Sequence, residues 1–482
     1  MTADRRQLDR DAAELSRLGY AQQLLRSMGG FSNFALSFST ISILTGAVTL
    51  YGHGLRFGGP LEMALGWPLA TVMTLAVAAS LAELASAYPT AGALYHWSAL
   101  LGGRTWGWFT AWLNTIGQFA ITAGVDYGFA EFLAPAIGWP VDRAHVLPLY
   151  AAVLASHALL NHVGVRAVAI LNWFSAWYHL AGVALLVVAL VAFAPHQPVS
   201  FLGTRFHSEG HGYLYGFLVG LLQAQWTFTG YDASAHTAEE TIDPSRVAPW
   251  GIFLSVAVSG VVGYALLVAV TLAIRDLPAT ATAQNPFLYL LAAALPKWLA
   301  AALGWLVLGA MWFCGLASVT SNSRMLFAFA RDRGLPFSSE IASVSPAFRT
   351  PHVAVWVSAA AAFAVAAWAR AYAAMVALST IALYASYAAP VAAAVAARWR
   401  GRERRRGPWS LGRFSTAVNA IALAWVAVVT VLFVLPPNQL AGYTFAGCVI
   451  LLIIYWLAWM EPRFEGPRIA GSRMMAKEEV RR

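Results

Sequence analysis

Residues Phe228-Thr-Gly-Tyr-Asp-Ala-Ser234 place a glycine and a carboxylate inside an apolar stretch running from about Tyr213 to Thr241. At bilayer depth an aspartate costs about 2.5–3.5 kcal/mol on insertion scales, so Asp232 marks a functional-site candidate. Thr229, Gly230 and Tyr231 weaken the helix at the same point, through glycine's backbone freedom and the low helix preference of its neighbours. Backbone that leaves the helix at membrane depth is tolerated only where it faces protein or a water-filled cavity. The stretch therefore predicts a discontinuous transmembrane helix with a polar site at its break.

Composition supports the membrane reading. Of 482 residues, 59% are hydrophobic and only 11% charged, with a mean hydropathy of +0.61, outside the range of soluble domains. Cys314 and Cys448, the two cysteines, both lie in apolar segments, which argues against a disulfide or a thiolate metal site. Residues 1 to 29 mix acids with arginines and contain no apolar signal region, so the amino terminus is expected to stay in the cytoplasm.

A span needs about 20 mostly apolar residues. On that rule twelve segments are read, at about 31–53, 61–86, 106–134, 145–163, 168–194, 213–241, 249–274, 298–328, 352–369, 371–396, 414–435 and 440–460. The second, third, sixth and eighth exceed the requirement, which implies tilt, interruption or continuation beyond lipid. With both termini cytoplasmic, Arg56, Arg143, Arg205, Arg275, Lys297 and Arg370 are the cations among the 31 lysines and arginines that fall outside. This bias follows the positive-inside rule and explains the net charge of +9 without a nucleic-acid partner. The basic run 398–406 then reads as a loop beside anionic lipid headgroups.

Transporters built from two inverted halves often bind substrate where one helix of each half is discontinuous. Segment one carries Ser42-Ile-Leu-Thr45-Gly46 and segment six carries Thr229-Gly230, so two five-segment repeats would each begin with an interrupted helix. Helix starts exposed by a break suit a carboxylate, and the carbonyls before a break suit an ammonium group or a metal cation. Thr45, Gly46 and Ala47 are the expected anion grip, with Ser42 a further substrate-binding candidate, and the carbonyls near Phe228 and Thr229 the cation grip. A zwitterion satisfies both.

The run Trp226 to Pro249, with its trailing Glu, Asp-Pro, Arg and Pro, resembles the sixth-helix signature of the amino acid-polyamine-organocation superfamily. Leu18-Gly-Tyr-Ala-Gln, the stretch Ala85 to Trp97 and Arg331-Asp-Arg-Gly-Leu-Pro336 agree, and together look most like the branch of amino acid/choline and GABA permeases. The resemblance implies an all-α membrane protein of 12 transmembrane helices. Its core would be a leucine-transporter-like 5+5 inverted repeat with discontinuous helices 1 and 6, followed by two C-terminal helices. The corresponding divisions are a cytoplasmic segment 1–30, repeats at 31–194 and 213–396, a basic loop 397–413, helices 11 and 12 at 414–460, and a cytoplasmic tail 461–482. Implied too is secondary transport by alternating access in the cytoplasmic membrane. The substrate would be an amino acid or a GABA-like or choline-like amine, and the coupling ion a proton, with sodium the alternative.

Two departures stand out. The superfamily often carries a Gly-x-Gly cluster in helix one, where this chain offers Gly46 flanked by Thr45 and Ser42. Many relatives place a lysine in helix five after the match to Gly164-Val-Arg166, and spacing puts His179 there. An ordinary histidine titrates near about 6.5 and can carry a coupling proton. A neutral, hydrogen-bonded helix histidine is the competing reading, as simple capping of the restarted helix is for Asp232.

Asn114, Gln118 and Thr122 lie four apart on one stripe of segment three, with Asp126 further round. Such stripes glue helices as often as they line pathways. Ser318, Thr320 and Ser321 offer oxygens expected near His179, with Ser318 and Ser321 the ion-coupling candidates. Trp226 and Tyr231 present aromatic faces to an ammonium. Ser379, Thr380 and Tyr384 are candidates for an outer gate in segment ten. Glu239 and Glu240 end segment six either at a gate or as a solvated helix end before Asp243-Pro244. The loop His207-Ser-Glu209-Gly-His211 lacks helical spacing and a fourth ligand, so no metal is expected, and no cofactor. With no nucleophile-base pair in the segments, no enzyme is expected either. A substrate-product exchanger and a transporter-like nutrient receptor remain as alternatives to proton symport.

Overall fold

The computed structural model describes residues 5–207, 212–368, 372–401 and 405–467. Arg370, Ser208 to His211 of the loop that holds the two histidines, residues 402–404 of the basic run and the tail beyond 467 lie outside the described residues. Among those described, every named element is helical.

In chain order, α1 is Arg5–Arg17, α2 Gly30–Ile41, α3 Ile43–Thr49, α4 Tyr51–Gly58 and α5 Trp67–Ala87, entered through a π-helical turn at Glu62–Gly66. Next come α6 Leu94–Gly102, α7 Arg104–Ala136, α8 Arg143–Val163 and α9 Val165–Phe193. The sixth segment is split into α10 Tyr213–Gly220, α11 Leu222–Thr227 and α12 Ala233–His236. After it follow α13 Pro244–Leu272, α14 Leu277–Thr282, α15 Pro286–Ala294, α16 Lys297–Arg331 and α17 Ser338–Ile341. The chain closes with α18 His352–Trp368, α19 Tyr372–Trp399, α20 Ser415–Leu432 and α21 Gln439–Tyr455.

Nine helical stretches among the described residues are long and apolar enough to cross a bilayer, and α18 is a shorter apolar helix. The over-long segments resolve differently. The second is the π turn joined to α5, the third and eighth are single helices of 33 and 35 residues, and the sixth is interrupted. Segment one also runs past its expected end, through α4 to Gly58.

Burial is inverted relative to a soluble protein. On α9, Ile170, Trp173, Phe174, Trp177, Leu185 and Val188 all point outward, while Asn172, Ser175 and His179 are sealed inside. An apolar exterior around a polar interior is the pattern lipid imposes, because internal helix bonds already satisfy the backbone. The polar stripe of α7 is likewise inside: Asn114, Gln118, Thr122 and Asp126 have no exposed surface. α7 packs against α19 and α16, and α13 packs against α5 and α2, so the short helices of the two interruptions sit enclosed by long ones.

Candidate functional site at two helix breaks

Segment one breaks at a single residue. Ser42 adopts φ 38° and ψ 87°, in the left-handed region, so α2 stops there and α3 restarts at once. The amides of Thr45 and Gly46 turn back onto the Ser42 carbonyl, each at 2.9 Å. The amides that precede this first turn are therefore those of Ile43 and Leu44, upstream of the expected grip. The Ala47 carbonyl takes the Gln223 side-chain amide at 3.0 Å.

His179 lies at this break. Its Nδ1 is 2.8 Å from the Ser175 carbonyl, which only accepts, so Nδ1 carries a hydrogen. Its Nε2 meets the Ser42 hydroxyl at 2.7 Å, and that hydroxyl meets Thr45 Oγ1 at 2.6 Å. Ser42 and Thr45 are expected at the first break and His179, through the family resemblance, in helix five; the fold brings the three into one hydrogen-bonded chain.

The second break spans Phe228 to Asp232. Gly230 sits at φ 86°, a conformation that favours glycine, and a side chain there would overlap Thr40 Cγ2. Its amide donates to the Tyr387 hydroxyl at 3.0 Å, and that hydroxyl in turn donates to Asp232 Oδ1 at 2.9 Å. Asp232 Oδ2 accepts from Asn114 Nδ2 at 3.2 Å and faces His236 Nε2 at 3.0 Å. The carboxylate does not cap α12, so the capping reading of Asp232 gives way to a three-partner polar centre. Around it, Tyr384 reaches the Phe228 carbonyl at 3.4 Å, Trp226 Nε1 donates to Ser379 Oγ at 3.1 Å, and the Tyr231 ring packs 4.8 Å from that of Tyr387. The Thr229 hydroxyl folds back onto the Trp226 carbonyl at 2.6 Å.

The two breaks meet. A methyl group on Gly46 would lie 2.5 Å from Thr227 Oγ1 and 2.8 Å from Thr227 Cα, so only glycine lets α3 approach α11 this closely. A small cavity between them is lined by residues including Thr45, Gly46, Ile121, Trp226, Thr227 and Cys314.

The serines of α16 go elsewhere. Ser318 Oγ pairs with Thr122 Oγ1 at 2.7 Å and Ser321 Oγ accepts from Gln118 at 3.4 Å, on α7. Thr320 binds Asn161 at 2.8 Å. The three oxygens thus find partners on α7 and α8, and no hydrogen bond among the described residues joins them to His179. Further along α7, Asp126 Oδ2 meets His157 Nδ1 at 3.1 Å.

Glu239 and Glu240 are fully buried, which excludes a solvated helix end. Arg331 grips Glu239 with both terminal nitrogens, at 2.8 and 2.9 Å, and Arg324 meets Glu240 at 3.1 Å. Residues 22–28 close over the same end. Gln22 donates to the Glu239 carbonyl at 2.8 Å, Arg26 to the carbonyls of Ala238 and Thr241, and the amides of Ser27 and Met28 to Glu240 O at 2.9 Å. Beside them Tyr20, Tyr95 and His96 converge on Asp332 Oδ2 at 2.7, 3.1 and 3.1 Å. Among the described residues, no group of three or more His, Cys, Asp or Glu is placed to hold a metal ion.

His236 and Tyr387 are the site residues that sequence reasoning missed. His236 was legible in principle, four residues after Asp232 and hence on the same helical face. Nothing local to α19 singles out Tyr387 from its neighbours.

A family model of amino acid permeases matches residues 28–459. The chain is 37% identical over 504 aligned positions to the amino-acid permease BAT1 homolog of Oryza sativa subsp. japonica, covering 95% of this chain and 96% of that one. It is 36% identical to the amino-acid permease BAT1 of Arabidopsis thaliana, with the same coverage, and 26% identical to amino-acid permease 2 of Neurospora crassa over 95% and 89% of the two chains. These relatives bear the names of permeases and not of enzymes, and the match runs through both helix breaks and the glutamates beyond them: the chain belongs to the amino acid permease family.

Proposed function

We propose that this chain carries an amino acid or a related amine across the cytoplasmic membrane by alternating access, coupled to a proton. The carrying observation is the apposition of two interrupted helices, α2–α3 and α11–α12, across the Gly46–Thr227 contact, with buried ionisable groups at both breaks. The names of the BAT1 relatives support an amino-acid substrate over a choline-like one.

In this reading twelve spans form two inverted five-helix repeats, 31–194 and 213–396, and two further helices at 414–460, with both termini cytoplasmic. The substrate carboxylate sits at the start of α3 and its ammonium near the carbonyls that end α11, the charges that each helix terminus favours. Trp226 and Tyr231 supply aromatic faces, Asn114 and Gln118 line the α7 side, and Ser379 and Tyr384 close the outer side. The buried Glu239–Arg331 and Glu240–Arg324 pairs close the cytoplasmic side.

The test is flux in proteoliposomes with a radiolabelled pool of standard amino acids and GABA. Accumulation driven by an imposed pH gradient supports symport. Flux that requires internal substrate assigns exchange, and binding without flux assigns a receptor. Unchanged pH dependence in both Asp232→Asn and His179→Ala would remove the proton-coupling part of the proposal.

A further inference from the structure

His236 has two partners, and both are acceptors. Nδ1 lies 3.0 Å from the Ala91 carbonyl and Nε2 lies 3.0 Å from Asp232 Oδ2, all fully buried. A carbonyl oxygen has no hydrogen to give, so Nδ1 is the protonated nitrogen of the neutral ring and Nε2 presents its lone pair. A lone pair facing an ionised carboxylate at that distance is repulsive. The contact holds only if one further proton lies between Nε2 and Oδ2, on whichever atom. Holding it, the pair is net neutral; losing it leaves a buried negative charge and an unbonded imidazole.

We propose that the Asp232–His236 pair is the proton site of the transport cycle, a deepening that rests on the proton-coupled reading above. The surrounding groups fit that role. Asp232 already accepts from Tyr387 on α19 and from Asn114 on α7 and shares the proton with His236, so three of its positions are taken and the substrate ammonium goes to the break carbonyls. Proton and substrate then occupy the protein together, as symport requires. His179 differs: its Nε2 faces the Ser42 hydroxyl, which donates as readily as it accepts, so no extra proton is required there.

The pair is also wired to the closed end. Ala91 accepts from His236 through its carbonyl and donates through its amide to Glu239 Oε1 at 3.2 Å, the oxygen that Arg331 Nη2 grips. When the proton leaves, the Nε2–Oδ2 bond fails, the imidazole is free to turn, and the Ala91 segment loses one of the two bonds that hold it against the 236–239 stretch. The groups that share this environment are Tyr231 on the same break, Tyr384 and Tyr387 on α19, Glu239 with Arg331, Glu240 with Arg324 on α16, and, beyond Glu239, Asp332 with Tyr20, Tyr95 and His96; the Glu239–Arg331 and Glu240–Arg324 pairs are each charge-balanced.

The experiment uses the same radiolabelled pool in proteoliposomes carrying the unaltered chain or H236Q, whose amide can donate to either acceptor but cannot carry the shared proton. H236Q is expected to lose the stimulation by an imposed pH gradient, with counterflow exchange measured beside it as the readout of substrate translocation without net proton movement. A gradient response equal to that of the unaltered chain overturns the inference while leaving amino-acid transport intact. Absence of a gradient response in the unaltered chain overturns the proton-coupled reading itself. Should H236Q lose counterflow too, the protons exchanged on adding the pool, titrated in two buffers of different ionisation enthalpy for the unaltered protein and for H236Q, decide: a count altered in H236Q supports the site and an equal count overturns it.

Discussion

The Tyr387 hydroxyl ties the two sides of the second break together, accepting from Gly230 N–H and donating to Asp232 Oδ1 at 2.9 Å. Removing it as Tyr387→Phe keeps the ring against Tyr231 but orphans a buried amide and a buried carboxylate oxygen. Each orphaned group costs about 1–3 kcal/mol. The hydroxyl of Tyr384, three residues away, makes longer contacts, 3.3 Å to Thr74 and 3.4 Å to Phe228 O. Tyr387→Phe should therefore destabilise the protein more than Tyr384→Phe in denaturant unfolding in detergent, and equal losses would refute this account of the break.

Much of this was legible in the sequence, and the limits have physical reasons. The apolar runs located the helices because a span needs length and hydropathy, both local properties. The glycine and aspartate of the sixth segment stood out for the same reason: each is locally costly in a helix within lipid. His179 was found through the resemblance, counted on from Gly164-Val-Arg166, and does reach the first break. The partners of Ser318 and Ser321 were not legible, because which helix faces α16 at that height depends on crossing geometry. Nor was the pairing of Glu239 and Glu240 with arginines about 80 to 90 residues downstream, which only tertiary folding creates. The unbonded amides expected at Thr45, Gly46 and Ala47 lie upstream, at Ile43 and Leu44, because Ser42, and not a residue nearer Gly46, takes the left-handed conformation.

Gly230→Ala combines two penalties that can be separated. The left-handed backbone costs an L-residue about 1–2 kcal/mol, and the new methyl also overlaps Thr40 Cγ2. Thr40→Ser removes that methyl and keeps the hydroxyl that bonds the Leu36 carbonyl at 2.8 Å. In a double-mutant cycle the pair should be more stable than Gly230→Ala alone, yet remain below Thr40→Ser by about the backbone term. Full recovery would mean that the backbone conformation carries no cost.

Arg324 and Glu240 are each fully buried, so their pair is costly to break from one side only. Arg324→Met leaves an uncompensated carboxylate and should cost about 3–5 kcal/mol. Adding Glu240→Gln removes the charge and should restore most of that loss in the same unfolding measurement. Additive losses in the double variant would show that the two residues do not act as a pair.

Residues 22–28 are pinned to the end of the sixth segment by main-chain bonds that can be followed one at a time: Ser27 and Met28 N–H to Glu240 O, and Ile242 N–H to Met28 O, all at 2.9 Å. Arg26 fastens this contact from the side by reaching the carbonyls of Ala238 and Thr241 together, with Asp11 4.0 Å away. Burial pushes its guanidinium below the ordinary arginine value, opposed by the nearby carboxylates, Asp11 foremost. A forked, planar side chain can bridge two carbonyls where an ammonium on a flexible stem cannot. Both Arg26→Ala and Arg26→Lys should therefore speed hydrogen exchange at the amides of Ser27, Met28 and Ile242, with the alanine variant the faster. Amides within α13 and α16 should exchange as before, because their protection comes from helix bonds that Arg26 does not touch. If all three amides kept unaltered rates in both variants, the main-chain bonds alone would hold the segment and Arg26 would have no part in closing that end.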